Sequence, residues 1–335
     1  MRPSAASAAD AVCLAASPGG HMAELYSVRA AFDGRPRIWV TGASRQADAL
    51  REAGEDVREL PPWGRDPPGL RGLAPNLRAA RRVLRSAPAA ALVTTGAGTV
   101  VPYALMARAA GSELFFMETM ARVTGASLTG RIVAPFARAV LVQWPEMRAV
   151  YRRATVCRPA LLESGDHAAT PGAQGTFVSV GTRPEPFDRL LATVDRAVAA
   201  GTLPGPVVAQ SGTSTYRPVS YSASAWMTPE EVERAMMQAR YVVCHGGAAM
   251  VSGAVAAGHR PLVLARRRAA GEHRTEHQQQ LVERLARERA VVAVEGDIDA
   301  RDVRIADARE QSTARRSELP SAEAALRDQL ARVLG

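Results

Sequence analysis

The run "HRTEH", residues 273–277, sets two histidines four apart with a glutamate beside the second, the H-x-x-E-H order of one class of zinc peptidase. On a helix that spacing puts both imidazoles on one face, because residues four apart stack one turn above another. A zinc site needs a third protein ligand, and no downstream acidic residue presents itself. The pattern alone therefore predicts no metal. Other residues able to do chemistry follow short apolar runs: His21 in "SPGGH", Glu118 in "METMAR" and His245 in "CHGGAAM", with "TTGAGT", "SVGT" and "QSGTSTY" in equivalent places. The one D-x-D, Asp297 to Asp299, reads as a turn and helix cap.

Those residues need elements to hold them. In the first half "AVCLAAS", "RIWVT", "DVREL", "AALVTT", "SELFFM" and "AVLVQW" are strand-like, and each precedes a helical pattern. The second half repeats the alternation with "GTFVSV", "GPVVAQ", "ARYVVCH", "RPLVLA" and "AVVAVE". Such alternation implies an α/β fold with two doubly wound, Rossmann-like domains. The expected division is 1–153 for the first domain, 154–175 for a linker rich in Gly, Pro and Thr and containing His167, 176–317 for the second domain, and 318–335 for a C-terminal helix packing back on the first. The Pro-rich stretch 60–75 is expected to be a surface loop. Ligands of doubly wound sheets lie outside the carboxyl ends of the strands, so two such domains facing across a cleft would bring the glycine turns together.

Composition narrows the function. A chain of 335 residues suits two domains of about 150 each. No run approaches the roughly 18 apolar residues that span a bilayer. The opening "AVCLAA" carries Asp10 at its edge and runs into a glycine turn, as a first buried strand does and a signal peptide does not. Cys13, Cys157 and Cys244 are scattered, which fits a reducing cytoplasm, with peripheral contact at the inner membrane face as a further expectation. The net charge is +9, yet all 42 Lys+Arg positions are arginine. Clusters such as "RAARRVLR" alternate with apolar residues at helical spacing and lack interleaved aromatics, so they read as a solvated helix face and no nucleic-acid partner is expected.

"SPGGHMAEL", "TTGAGTVVPYALMA" and "FFMETMARVTGASLTGRIVAPFARAVLVQWPEM" resemble the acceptor-binding subunit of bacterial exopolysaccharide glycosyltransferase pairs, whose eukaryotic relative acts in dolichol-linked N-glycan assembly. "FVSVGTRPEPFDRLL", "VVAQSGTSTYRP", "ARYVVCHGGAAMVSGAVAAGHRPLVLARR" and "GEHRTEHQQQLVERL" resemble the partner subunit that binds the UDP-sugar. The resemblance, family 28-like and covering about residues 11–295, implies a GT-B fold in which both subunits are fused. It departs from the family at Gly253, where a ribose-holding glutamate is common, and shows no counterpart of the eukaryotic anchoring helix.

The glycine turn after "YVVCH" should aim the amides of Gly246, Gly247 and Ala248 at a diphosphate, with His245 adding a hydrogen bond. Gly181 and Thr182 should face the same phosphates, with Gln210, Gly212 and Thr213 near the nucleotide and Met227 or Trp226 walling the base. By the resemblance, His277 and Gln278 meet the donor hexose while Glu272 and His273 shape the loop. His21, opening a helix at a strand end, is the expected general base. By the resemblance, Glu118 is the second candidate, as base or as His21's orienter; Glu24 fits a helix first turn. Gly20, Gly96, Gly98, Thr99 and Trp63 are the expected acceptor contacts. The resulting expectation is inverting, metal-independent and cofactor-free transfer of a hexose from a UDP-sugar to a hydroxyl. The product would be a β-glycoside, and the acceptor a soluble small molecule such as a nucleoside or a polyprenyl-diphosphate-linked sugar. A UDP-sugar 2-epimerase and a UDP-binding subunit that needs a partner are the alternatives, and the oligomeric state stays open. Nicotinamide binding fits poorly, since "GAGTVV" lacks a third glycine.

Overall fold

Short apolar runs buried on both faces make parallel strands, and their alternate residues supply two cores. The computed structural model describes residues 10–63, 72–163, 172–273, 275–308 and 318–334, and every count or absence stated of the structure is of these residues. Contacts divide the chain into two units, Met1–Ala160 with Leu319–Gly335 and Leu161–Glu318.

The first unit carries β1 (Val12–Ala16), β2 (Arg37–Thr41), β3 (Asp56–Glu59), β4 (Ala91–Gly96), β5 (Glu113–Met117), β6 (Ala139–Val142) and β7 (Thr155–Val156). They form one parallel sheet in the order β3-β2-β1-β4-β5-β6-β7. Leu14 stands opposite Trp39 on one side and Val93 on the other. Helices α1 (Gly20–Ser27), α2 (Arg45–Glu52), α3 (Leu73–Ser86), α4 (Val101–Ala109) and α5 (Leu128–Val133) cross between them. Val12, Leu14, Trp39, Phe115 and Leu141 fill one face with Leu25 of α1. Cys13, Ile38, Leu92 and Phe116 fill the other with α3 and α4.

The chain continues through α6 (Ala160–Glu163) into the second unit, whose strands are β8 (Thr176–Ser179), β9 (Val207–Gln210), β10 (Ala223–Ser224), β11 (Tyr241–His245), β12 (Leu262–Leu264) and β13 (Val292–Ala293). These are parallel in the order β10-β9-β8-β11-β12-β13. Helices α7 (Asp188–Ala199), α8 (Pro229–Gln238), α9 (Ala248–Ala256), α10 (His277–Arg287) and α11 (Ala300–Asp307) accompany them. Phe187, Leu190, Val194, Val243 and Leu264 anchor this core. The last helix, α12 (Ala322–Leu334), belongs to the first unit: Ala322, Leu326 and Leu330 are buried against the cluster that holds Leu25, Phe32 and Leu141.

The structure corrects three details. Part of the expected linker 154–175 is β7, a two-residue edge strand too short to show periodicity; residues 164–171, with His167, lie outside the described residues. The stretch 60–75 is not loop throughout, because α3 already begins at Leu73 and takes Pro75 in its first turn, where a missing N–H is harmless; residues 64–71 are not described. The second unit also gains β10, again of two residues. As for the charge clusters, Arg78, Arg81, Arg82 and Arg85 of α3 are all exposed while Ala79, Ala80 and Val83 are buried. Asp299 caps α11, accepting from the amides of Arg301 and Asp302. No helix among the described residues is long and apolar enough to cross a membrane.

Candidate active site

In the first unit the chain leaves β1 through Gly19, whose φ of +101° suits glycine, and enters α1 with no side-chain cap. His21, half-buried, is the second residue of that helix. Its Nδ1 lies 2.9 Å from the carbonyl oxygen of Thr95 at the end of β4. A carbonyl only accepts, so Nδ1 carries the proton and Nε2 keeps its lone pair. Thr95 Oγ1 donates back to the His21 carbonyl at 2.9 Å, clasping the two strand ends together. Burial, helped by the positive charge of Arg122 and opposed by the Thr95 hydrogen bond, lowers the imidazole pKa below its ordinary 6.5. The ring is then neutral near pH 7, the state a general base requires.

Glu118 does not reach His21. Its carboxylate is 1% exposed and accepts from the amides of Thr119 (3.2 Å) and Ser127 (2.9 Å) and the Tyr151 hydroxyl (2.9 Å). This corrects the expectation that Glu118 orients His21: it ties down the loop between β5 and α5, and the carbonyl of Thr95 does the orienting. Gly130 completes the arrangement, since a Cβ there would fall 2.1 Å from Tyr151 Oη and 2.7 Å from Glu118 Oε2.

Glu24 is more than a helix first-turn residue. Fully buried, it accepts from Thr119 Oγ1 (2.5 Å), the Met120 amide (3.2 Å) and Gln143 Nε2 (2.7 Å). Burial outweighs these donors and pushes its pKa up to about 7. Gln143 also donates to the Glu118 carbonyl and accepts from the Ala160 amide, so one polar knot joins the ends of β5 and β6 to α1. Nothing in the local sequence around Glu24 announces this, because its partners lie about a hundred residues away.

The expected acceptor residues fall into two groups. Gly20 has open space where a Cβ would point, and Gly98 begins a short 3-10 turn. Gly96, at φ +93°, is packed so that a Cβ would meet Thr129 Cγ2 at 2.9 Å, and Ala97 follows at φ +79°, a region that suits glycine. Thr99 and Trp63 hold each other: Thr99 Oγ1 donates to the Trp63 carbonyl at 3.0 Å. Their shown role is to pin the chain after β3 to the end of β4.

In the second unit the ends of β8, β9, β11 and β12 converge. The ring of His245 is wedged between two loops, for a Cβ on Gly181 would lie 2.4 Å from its Cε1 and one on Gly247 would lie 2.3 Å from its Nε2. Burial and the charge of Arg266 lower its pKa to about 4, so it is neutral. Gly246 is also close-packed, for a Cβ there would lie 2.8 Å from Val282 Cγ2 and 3.2 Å from Gln278 Cβ of α10. Beyond Gly247, α9 opens at Ala248 with no side-chain cap and no acidic residue in its first turn, leaving its first amides and positive end to an anion. Thr182 is exposed on the facing loop. Gln210 is buried and accepts from Ser179 Oγ at 3.0 Å, Gly212 turns at φ +55°, and Thr213 Oγ1 donates to the Pro184 carbonyl at 3.0 Å. Met227 is half-buried and Trp226 is 58% exposed.

Arg266, which the sequence did not single out, holds these loops. It is 1% exposed and donates to the carbonyls of Val180 (2.9 Å), Glu185 (2.7 Å), Pro186 (3.2 Å) and Glu272 (3.1 Å). Burial depresses its pKa to about 10. Glu272 closes the same loop through a bidentate pair with Arg189 (2.9 and 2.8 Å) and a bond from the Arg267 amide. Gln278 accepts from the Arg266 amide at 3.2 Å, so its oxygen is already engaged. His273 Nδ1 bonds within its own loop, to Thr275, and His277 opens α10. No group of three or more His, Cys, Asp or Glu able to hold a metal occurs among the described residues. At Gly253, within α9, a Cβ would meet only Met236 at 3.8 Å.

Residues 75–158 match the family described as oligosaccharide biosynthesis protein Alg14 like, and residues 177–297 match the glycosyltransferase family 28 C-terminal domain. The chain is 36% identical over 84 residues to the UDP-N-acetylglucosamine transferase subunit ALG14 of Eremothecium gossypii, a match covering 23% of this chain and 37% of that protein. It thus spans little more than a third of that relative's length. Among solved structures it is similar to the glycosyltransferase SnogD from Streptomyces nogalater (TM-score 0.60, 17% identity, 97% of this chain and 99% of that one). It is also similar to the UDP-GlcNAc 2-epimerase from Methanocaldococcus jannaschii (TM-score 0.62, 9% identity, 97% and 99%). These likenesses establish the fold, two parallel-sheet Rossmann-like units of the GT-B kind.

Proposed function

Because the chain joins an Alg14-like segment to a glycosyltransferase family 28 C-terminal domain on a GT-B fold, we propose that it is an inverting, UDP-sugar-dependent hexosyltransferase. The second unit binds the donor: the first amides of α9, at Gly247 and Ala248, receive the diphosphate beside Gly181 and Thr182, and His277 and Gln278 serve the hexose. The name of the ALG14 relative supports UDP-N-acetylglucosamine as the first donor to test. The first unit receives the acceptor near Gly20 and Gly98. His21 Nε2 takes the proton of the acceptor hydroxyl, whose oxygen attacks the anomeric carbon opposite the diphosphate. The bond to UDP breaks, UDP leaves with the electron pair, and an α-linked donor yields a β-glycoside. Preorganised amides and a helix end suit the charge that grows on the leaving group, so no metal is required. The acceptor is a soluble small molecule or a polyprenyl-diphosphate-linked sugar, and the setting is cytoplasmic with peripheral membrane contact.

The observation that carries this reading is the hydrogen bond from His21 Nδ1 to the Thr95 carbonyl, which leaves Nε2 basic. The test is UDP release from UDP-hexoses with each acceptor class. His21→Ala should lower turnover by about 10²- to 10⁴-fold while UDP still binds. Turnover that stops with EDTA and returns only with a divalent ion would sink the metal-independent part. The likeness to the epimerase favours one other reading, which predicts isomerisation of the UDP-sugar with no acceptor present.

A further inference from the structure

Three arginines serve the loops that close on the ring of His245, and they differ. Arg189 forms a bidentate pair with Glu272, and Arg266 is buried with Nη1 and Nη2 on four carbonyls. Arg183 follows the turn at Gly181 that packs against the ring, and its side chain is 39% exposed. Among the described residues its guanidinium bonds Glu185 alone, Nε to Oε2 and Nη2 to Oε1, each at 3.0 Å. Those hydrogen bonds hold the Glu185 carboxyl below its ordinary 4.5. The backbone there is anchored, because the Arg183 carbonyl accepts from Thr213 Oγ1 at 3.4 Å and those of Glu185 and Pro186 accept from Arg266. The guanidinium can therefore turn without moving the loop. Burial is the main cause of the lowered pKa values of His245, Arg266 and His273, and the charge of Arg183 adds to each. Arg183 thus stands between the start of α9, which has no acidic residue in its first turn, and the His273 loop that leads to the proposed hexose contacts.

We propose that Arg183 is the leaving-group cation: when a UDP-sugar binds, its guanidinium turns from Glu185 to the β-phosphate. The inference rests on the donor site proposed above. An ion pair this exposed is worth at most about fivefold in an equilibrium constant, so Glu185 gives way easily. A β-phosphate offers the planar fork two oxygens and more charge than a carboxylate does. As the bond from the anomeric carbon to the β-phosphate oxygen breaks, its electron pair stays on UDP and adds one negative charge there. Arg183 meets that charge together with the α9 amides, a task that a divalent cation performs in other enzymes. Glu185 is the counter-ion that holds the guanidinium while no donor is bound.

Titration calorimetry of the full chain with UDP and with UMP tests it. Arg183→Ala should weaken UDP at least about tenfold and UMP much less, since UMP lacks the phosphate concerned. Arg183→Lys, which keeps the charge and loses the fork, should fall between wild type and Arg183→Ala. Glu185→Gln should shift the other way and bind UDP about two- to fivefold tighter, because the guanidinium is released from its competitor. With Arg183→Ala already present, Glu185→Gln should gain much less. Turnover of Arg183→Ala should fall about 10²- to 10³-fold. If the pair only stiffened its loop, both single variants would weaken UDP and UMP alike and lower the Tm, and that result would overturn the proposal. Unchanged UDP affinity in Arg183→Ala would overturn it too, while leaving the donor site itself standing. A wild type that binds no UDP would sink both.

Discussion

His21 Nδ1 and the Thr95 carbonyl stand 2.9 Å apart, and this one contact decides which ring nitrogen can act as a base. Protonation of Nε2 abolishes that base. Since burial holds the imidazole pKa below 6.5, kcat/KM should be flat above that pH and fall with a single inflection below it. The His21→Ala enzyme should lack the inflection. A wild-type inflection above 6.5 would contradict the assignment.

The wedge of His245 between glycine loops makes a pairwise prediction. Gly247→Ala places a methyl 2.3 Å from Nε2 and should destabilise by about 1–3 kcal/mol. Adding His245→Ala should recover much of that loss, because the obstacle is gone. Gly181→Ala should be rescued less, since its φ of +78° strains alanine whatever the space. Urea midpoints of the single and double variants measure both. Additive losses at Gly247 and His245 would refute the contact.

Glu24 should reveal itself through pH. Its folded pKa is raised from 4.5 to about 7, so the folded state favours the protonated form. The associated stability is fully present below 4.5 and is lost as pH rises through 7, a matter of a few kcal/mol. Glu24→Gln does not titrate. The stability of wild type minus that of Glu24→Gln should therefore shrink across this window, and a gap that widens would exclude the buried neutral acid.

Ala97 sits at φ +79° and ψ 148°, where a side chain is strained. Ala97→Gly should raise stability by about 1 kcal/mol, against the usual sign for alanine to glycine. A lowered Tm would show that the backbone there relaxes at no cost.

The long strands and the glycine turns were legible because apolar runs such as "AALVTT" end in residues that permit sharp turns. β7 and β10 were not, as two residues carry no period. The place of His21 at the start of a helix could be read from the strand and two glycines before it. Its orienter could not, because a backbone carbonyl has no sequence signature. Glu118 follows a strand in the sequence, yet the Ser127 amide and Tyr151 hydroxyl that bond it lie in segments whose course the sequence does not give. Arg266 was hidden for a similar reason: its partners, the carbonyls of residues 180, 185, 186 and 272, come together only once the sheet has formed.

Helix α12 lies in the core of the first unit although the entire second unit precedes it in the chain. During synthesis the ribosome releases β1 to β7 long before Leu326 and Leu330 emerge. Until then Leu25, Phe32 and Leu141 lack the neighbours that shield them from water. The first unit is thus begun first and completed last, and a nascent chain stalled anywhere in the second unit should carry an open greasy seam for chaperones to grip.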